Sequence, residues 1–288
     1  MDVRVLRCAD RILTLDRPRV MGILNITPDS FSDGGHLFGS RPDLGRIMDT
    51  AAAMLEAGAD ILDVGGESTR PGADPVPEDE ECRRVMPVIE RLRELDTILS
   101  VDTCKPGVAR RALQAGAHLV NDVTGLRNSQ MLDAVAESTA AVCIMHMRGE
   151  PRTMQDDPRY SDVVADVREY LVRQVEVCRA AGIASDRLVL DPGFGFGKRL
   201  EHNLTLLREL PVLAALGSPL LVGLSRKSVI GQVTGRDVDG RVSGSVAAAL
   251  LAVQRGAAIV RVHDVAPTVD ALKLLAAVEG PELIGRST

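Results

Sequence analysis

Short apolar runs alternate with longer amphipathic segments along the whole chain. The runs are Val20–Asn25, Ile61–Gly65, Ile98–Asp102, Leu119–Asp122, Ala141–Met145, Leu188–Asp191, Leu220–Gly223 and Ile259–His263. Each is four to six residues long and mostly uninterrupted Val, Ile and Leu, the pattern of parallel strands buried on both faces. Segments of helical length and period lie between them, including Leu44–Ala57, Glu78–Leu95, Asp162–Ala181 and Val242–Arg255. This is the spacing of repeated βα units. A weak internal repeat supports it: Ala57-Gly58-Ala59-Asp60-Ile61 recurs as Ala115-Gly116-Ala117-His118-Leu119 and as Arg255-Gly256-Ala257-Ala258-Ile259. Each copy places a Gly where a helix ends and then enters a strand. Eight such units predict an α/β fold, a (β/α)8 TIM barrel, rather than an open doubly wound sheet. No linker splits the chain, so residues 1–288 are read as one domain. Residues 3–16 alternate around Ala9-Asp10 and predict a β-hairpin ahead of the barrel, closing its bottom.

Composition narrows the functional classes. The 288 residues carry 34 Lys and Arg against 40 Asp and Glu, a net charge of −6, with no basic run, which argues against a nucleic-acid partner. No apolar stretch approaches the ~20 residues of a membrane span. The charged start, Met1-Asp2-Val3-Arg4, has no apolar signal region, and the expected location is the cytoplasm. The five Cys are scattered with no CxxC pair, which supports neither a disulfide framework nor a zinc knuckle. There is no Trp, and the few rings avoid the apolar runs: Phe31 and Phe38 share one Gly/Ser/Asp-rich stretch, Phe194 and Phe196 another. The core is therefore expected to be aliphatic, and the rings either anchor their loops or flank a flat ligand.

In such barrels the active site lies at the C-terminal ends of the strands. Here those ends carry Asn25, Asp63, Asp102, Asn121 with Asp122, His146, Asp191, Ser225 with Lys227, and Arg261 with His263. A polar-lined pocket is expected. Arg261 and His263 are two apart and share a face. They fit the phosphate position at the end of the last strand, although an ion pair between Arg261 and a neighbouring Asp is the plainer alternative. The loops after the first two runs, Thr27–Gly35 and Gly65–Gly72, are long for βα connections and read as lids. Asp191-Pro-Gly-Phe-Gly-Phe-Gly-Lys198 lacks the spacing of a nucleotide-phosphate loop. Buried Asp63, Asp102, Asp191 and Asn121 want N–H donors, because an unpartnered buried carboxylate is costly. The cations want phosphate. A flat, donor-rich heterocycle carrying phosphate satisfies both, and any Mg²⁺ is expected to be held mainly by substrate phosphates. Cys104 reads as an ordinary buried thiol.

These motifs also carry a family resemblance. Met21-Gly-Ile-Leu-Asn-Ile-Thr-Pro-Asp-Ser-Phe-Ser-Asp-Gly-Gly35 and Asp63-Val-Gly-Gly-Glu-Ser-Thr-Arg-Pro-Gly-Ala73 closely resemble the loop signatures of the dihydropteroate synthases. Ser100-Val-Asp-Thr103, Asn121-Asp122, Met145-His-Met147, Asp191–Lys198, Ser225-Arg-Lys-Ser228 and Arg261-Val-His263 follow in the family's order. The resemblance implies condensation of 6-hydroxymethyl-7,8-dihydropterin diphosphate with p-aminobenzoate, giving 7,8-dihydropteroate and diphosphate. It implies that Asp102, Asn121, Asp191 and Lys227 hold the pterin. Asn25, Arg70, Arg261 and His263 hold the diphosphate, with Asn25 also a Mg²⁺ ligand. Phe31, Thr69, Pro71, Phe196, Lys227 and Ser228 form the p-aminobenzoate side, with Asp102, Lys227, Arg261 and His263 as the catalytic set. It further implies a homodimer. A pterin-dependent methyltransferase would not need Arg70, Arg261 or the two loop signatures. A catalytically silent paralogue would show damaged loops or missing diphosphate ligands.

Overall fold

The computed structural model describes residues 4–26, 43–68, 75–150 and 153–280. Eight parallel strands close into a barrel: β3 (Arg19–Asn25), β4 (Ile61–Gly65), β5 (Ile98–Asp102), β6 (Leu119–Asp122), β7 (Ala141–Met145), β8 (Leu188–Asp191), β9 (Leu220–Val222) and β10 (Ala257–Val262). Neighbours in sequence pair in the sheet, and β10 closes the ring onto β3. Helices follow the strands: α1 (Leu44–Glu56), α2 (Glu78–Leu92), α3 (Pro106–Ala115), α4 (Ser129–Ala136), α5 (Val163–Ala180), α6 (Leu200–Arg208), α7 (Leu210–Ala214), α8 (Ser228–Thr234), α9 (Val242–Val253) and α10 (Val265–Glu279). Every apolar run of the sequence is a strand, with ends shifted by at most two residues.

Local signals set the helix ends. The Asp162 side chain accepts from Val164 N and Ala165 N, satisfying two amides that the first turn of α5 leaves unpaired. Gly116 ends α3 at φ 112, a left-handed cap that side chains resist, and Gly58 and Gly256 repeat it at φ 99 and 98. The internal repeat is therefore a repeated helix stop.

The antiparallel hairpin β1 (Val5–Cys8) and β2 (Arg11–Thr14) precedes the barrel, with Ala9-Asp10 as its two-residue turn. Leu6, Cys8, Leu13 and Leu15 pack with Met21, Ile61, Ile98, Leu119, Cys143, Val189 and Ile259. These seven are inward residues near the N-terminal ends of the strands, so the hairpin plugs the bottom of the barrel, as expected. The outward set, including Leu62, Val64, Leu99, Val101, Val120, Val142 and Ile144, joins α2, α3 and α5 in the main core. Alternation along each strand produces both layers.

Of the two roles open to the rings, Phe194 takes the anchoring one, and with it a ring enters a core expected to be aliphatic. Phe194 is not a ring free to flank a ligand: it is 1% exposed and belongs to the main core. Its loop folds back over the barrel, and burying so large an apolar side chain anchors that loop. Among the described residues no helix is long and apolar enough to cross a membrane.

Candidate active site

The alternation that makes the bottom apolar makes the top polar. Along β4 the inward positions run Ile61, Asp63, Gly65; along β5, Ile98, Ser100, Asp102; along β10, Ile259, Arg261. Register sets these ends side by side, with Asn25 opposite Gly65, Gly65 opposite Asp102, and Asp102 opposite Asn121. Barrel closure brings in Arg261. Its Nε donates to Asp63 Oδ2 at 2.6 Å and its Nη2 to Asp102 Oδ2 at 2.6 Å. Asn121 Nδ2 donates to the same Asp63 oxygen at 3.0 Å. Asp63 and Asp102 are 0% and 6% exposed, and among the described residues their Oδ1 atoms have no hydrogen-bond partner. The ion pair foreseen as the plainer reading of Arg261 thus exists, to two carboxylates at once.

The second half of the mouth comes from β8 and the segment after β9. Asp191 Oδ1 accepts from Gly193 N at 2.7 Å. Lys227 Nζ donates to Phe194 O at 2.6 Å and lies 4.7 Å from the centre of the Phe196 ring, a cation–π contact. Phe196 is buried against Val123, Met145, Met147 and Met154. Ser228 is exposed as the first residue of α8, directly after Lys227. His263 follows the end of β10, where its backbone N–H donates to Ser225 Oγ and its Nδ1 lies 3.1 Å from the same oxygen. Asn25 ends β3 beside the others. An ideal Cβ on Gly65 would lie 3.7 Å from both Asn25 Oδ1 and Asp102 Oδ2, so the glycine opens the floor between them. Phe31, Thr69, Arg70 and Pro71 lie outside the described residues. The base of their second loop is pinned by Arg84, which donates to Gly66 O at 3.0 Å, and by Lys105, which pairs with Glu67 and Glu81.

Burial shapes the charges. It pushes the Asp102 carboxyl up to about 7, with Arg261 pulling it down and Asp63 pushing it further up. It also raises Asp191, against the pull of Lys227 and of the Gly193 N–H. Lys227 falls to about 8 because its ammonium is desolvated, with Asp191 opposing. Burial works against the Arg261 charge, but Asp63 and Asp102 outweigh it and keep the guanidinium protonated. Burial holds the Cys104 thiol at about 12, so no thiolate is available for attack.

Not every polar strand end joins the mouth. Asp122 accepts from Thr124 N, Thr124 Oγ1 and Leu126 N and caps its own turn. His146 is spent on Lys198. Burial, then the neighbouring Lys198, lowers this imidazole to about 2, so it is neutral. Arg226 turns away at φ 57 and pairs with Asp264 through both Nε and Nη2. Of the two adjacent cations, only Lys227 faces the mouth.

Lys198 is the residue that sequence reasoning missed. Its Nζ, 3% exposed as a residue, reaches Gly193 O at 2.8 Å, Phe196 O at 3.0 Å and His146 Nδ1 at 2.9 Å. It gathers the loop that carries Asp191 and Phe196. Gly193 permits the tight course at φ 70, where a Cβ would meet His146 O at 1.9 Å. The available signal was a lysine closing a glycine-rich loop, within reach of two of that loop's own carbonyls.

The family described as pterin binding enzyme matches residues 21–263. The dihydropteroate synthase of Escherichia coli (strain K12) is 50% identical over 266 residues, covering 92% of this chain and 93% of the relative. The structure of Xanthomonas albilineans dihydropteroate synthase with 4-aminobenzoic acid superposes with a TM-score of 0.90 at 54% identity, covering 97% of this chain and 99% of that one. Burkholderia cenocepacia dihydropteroate synthase complexed with 7,8-dihydropteroate gives a TM-score of 0.87 at 50% identity, covering 96% and 97%. The chain belongs to the pterin-binding enzymes and, within them, to the dihydropteroate synthase family.

Proposed function

We propose that the chain condenses 6-hydroxymethyl-7,8-dihydropterin diphosphate with p-aminobenzoate to 7,8-dihydropteroate, releasing diphosphate. One observation carries the reading. Arg261 sits in a single mouth with Asp63, Asp102 and Asn121, where the Oδ1 of Asp102, at the strand end, has no partner among the described residues. A heterocycle rich in N–H groups satisfies such an oxygen, and a phosphate satisfies the guanidinium. The C–O bond between methylene and diphosphate breaks first, and its electron pair leaves with the diphosphate. The electron-rich pterin spreads the positive charge left on the methylene. Asp102, ionised, stabilises that charge, while Asp191, Asn121 and Lys227 hold the ring. The arylamine nitrogen then forms the C–N bond and loses a proton. Phe196 and Ser228 border the side from which it enters, with Phe31, Thr69 and Pro71 assigned there by the family motif. No nucleophilic side chain takes part, consistent with the protonated Cys104.

Arg261 and His263 receive the departing diphosphate, with Arg70 assigned to it by motif. Asn25 offers a neutral oxygen beside them. Among the described residues no group of three or more His, Cys, Asp or Glu could hold a metal ion alone. This donor set fits a hard cation that brings most of its own oxygen ligands, as Mg²⁺ does. Bound by Asn25 and the substrate phosphates, Mg²⁺ would supply charge neutralisation to the leaving group. The same reading includes a homodimer and a cytoplasmic location. The homodimer follows from the family resemblance, and the five unpaired cysteines support the location.

The test mixes purified protein, Mg²⁺, the dihydropterin diphosphate and p-aminobenzoate, and follows diphosphate and dihydropteroate while each component is omitted in turn. Product that requires both organic substrates is expected. Tight pterin binding with no diphosphate release would overturn the proposal.

A further inference from the structure

Asp63 differs from the other acids of the mouth. It lies in the middle of β4 rather than at its end, it is 0% exposed, and two donors from distant strands converge on one of its oxygens. We propose that Asp63 is a positioning residue, which presents Asn121 to the heterocycle as an acceptor and tethers Arg261 by Nε while the terminal nitrogens of that arginine exchange Asp102 for diphosphate. The inference rests on the function proposed above.

The first half follows from hydrogen-bond inventory. An amide can turn either end toward a ligand, but an ionised carboxylate only accepts. Asn121 must therefore face Asp63 with Nδ2, as it does at 3.0 Å, and its Oδ1 points the other way. Asp63 so converts a two-way reader into one that favours an N–H group on the ring.

The second half follows from how Arg261 divides its donors. Nε is committed to Asp63 and Nη2 to Asp102, each at 2.6 Å. Asp102 is the carboxylate assigned to the pterin and the methylene: its Oδ1 is open to the heterocycle, and the arriving diphosphate draws Nη2 away from its Oδ2. A guanidinium bound only to Asp102 would leave the mouth or block it. One held at Nε keeps its position, and both terminal nitrogens can turn to the leaving group in the fork geometry that suits phosphate. Without the Asp63 charge, the arginine faces Asp102 alone and competes with the pterin.

The experiment compares Asp63→Asn with the wild-type protein by steady-state kinetics and thermal melting. The expected result is a fall in kcat/KM for the dihydropterin diphosphate of about ten-fold to a hundred-fold, the size of one or two charge-assisted hydrogen bonds. The KM for p-aminobenzoate should stay within about two-fold, since that side touches neither donor, a split that general loosening of the fold would not give. Unchanged kcat/KM, or loss spread equally over both substrates, overturns the proposal. A second measurement needs no folded variant of Asp63. In the ¹⁵N-labelled wild-type protein, the Arg261 Nε–H resonance, assigned by its loss in Arg261→Lys, should stay protected from exchange when a phosphate-free dihydropterin and inorganic diphosphate are added. Loss of that protection removes the tether. Wild-type protein without turnover would instead sink the proposed function, and the resonance would still report on the tether.

Discussion

The lower and upper halves of the barrel interior are built from the same strands, yet one is dry and the other charged. Below, Met21, Ile61, Ile98, Leu119 and Ile259 meet the hairpin residues Leu6, Cys8, Leu13 and Leu15 in one apolar cluster. Two residues further along the strands, Asp63, Asn121 and Arg261 face the same axis. The bottom layer stabilises: each large apolar side chain removed from water contributes about 1.5–3 kcal/mol. The top layer does not follow that rule. Desolvating Asp63, Asp102 and Arg261 costs free energy that their mutual attraction offsets only in part. The hairpin and the outer core therefore carry the stability that lets the mouth hold unpartnered acid oxygens.

The contrast can be broken by substitution. Arg261→Ala should cost about 3–5 kcal/mol of stability, since it leaves two buried carboxylates without their cation. It should also abolish binding of inorganic diphosphate while a phosphate-free dihydropterin still binds. Denaturant unfolding and calorimetry check both, and equal loss of both ligands would make Arg261 a structural residue. Leu6→Ala tests the other half: a cavity in the plug should cost about 2–5 kcal/mol with kcat unchanged. A matching fall in kcat would mean that the two halves are not separable. Asp191→Asn should weaken dihydropterin binding by about 1.5–3 kcal/mol for each charged hydrogen bond lost, measured by titration calorimetry.

The smallest effect sharpens the comparison through pH. Asp102 is charged only above about 7, and Lys227 only below about 8. Because the proposed mechanism uses both in their charged forms, kcat/KM for the dihydropterin diphosphate should be bell-shaped. It should fall about ten-fold per pH unit, or ~1.4 kcal/mol, on the acid side through Asp102 and on the alkaline side through Lys227. Leu6 is apolar and fully buried in the lower half, so Leu6→Ala should leave both limbs in place. A profile flat from pH 6 to 9 would remove Asp102 and Lys227 from their assigned roles.

Much of this was legible along the chain. The eight apolar runs are the eight barrel strands, and the hairpin around Ala9-Asp10 is present and plugs the bottom. The glycine repeat marks helix ends. What misled was the environment of single residues. Phe194 sits in a Gly-rich stretch that reads as open loop, yet tertiary packing buries it. His146 and Asp122 look like pocket residues because they end strands, but their hydrogen bonds go to Lys198 and to a local turn. Arg226 and Lys227 are neighbours in sequence, and only a left-handed φ at Arg226 sends them to opposite sides.

Strand and helix periods, chain stops and the polar residues near each strand end can be read from the chain alone. All of these are local, since they depend on residues a few positions apart. The tertiary structure alone decided which polar ends are partners. The two bonds of Arg261 span 198 and 159 residues, and nothing in the neighbourhood of Asp63, Asp102 or Arg261 encodes that separation. Closure of β10 onto β3 supplies it, by bringing the last strand beside the first and turning three charged inward positions toward one axis.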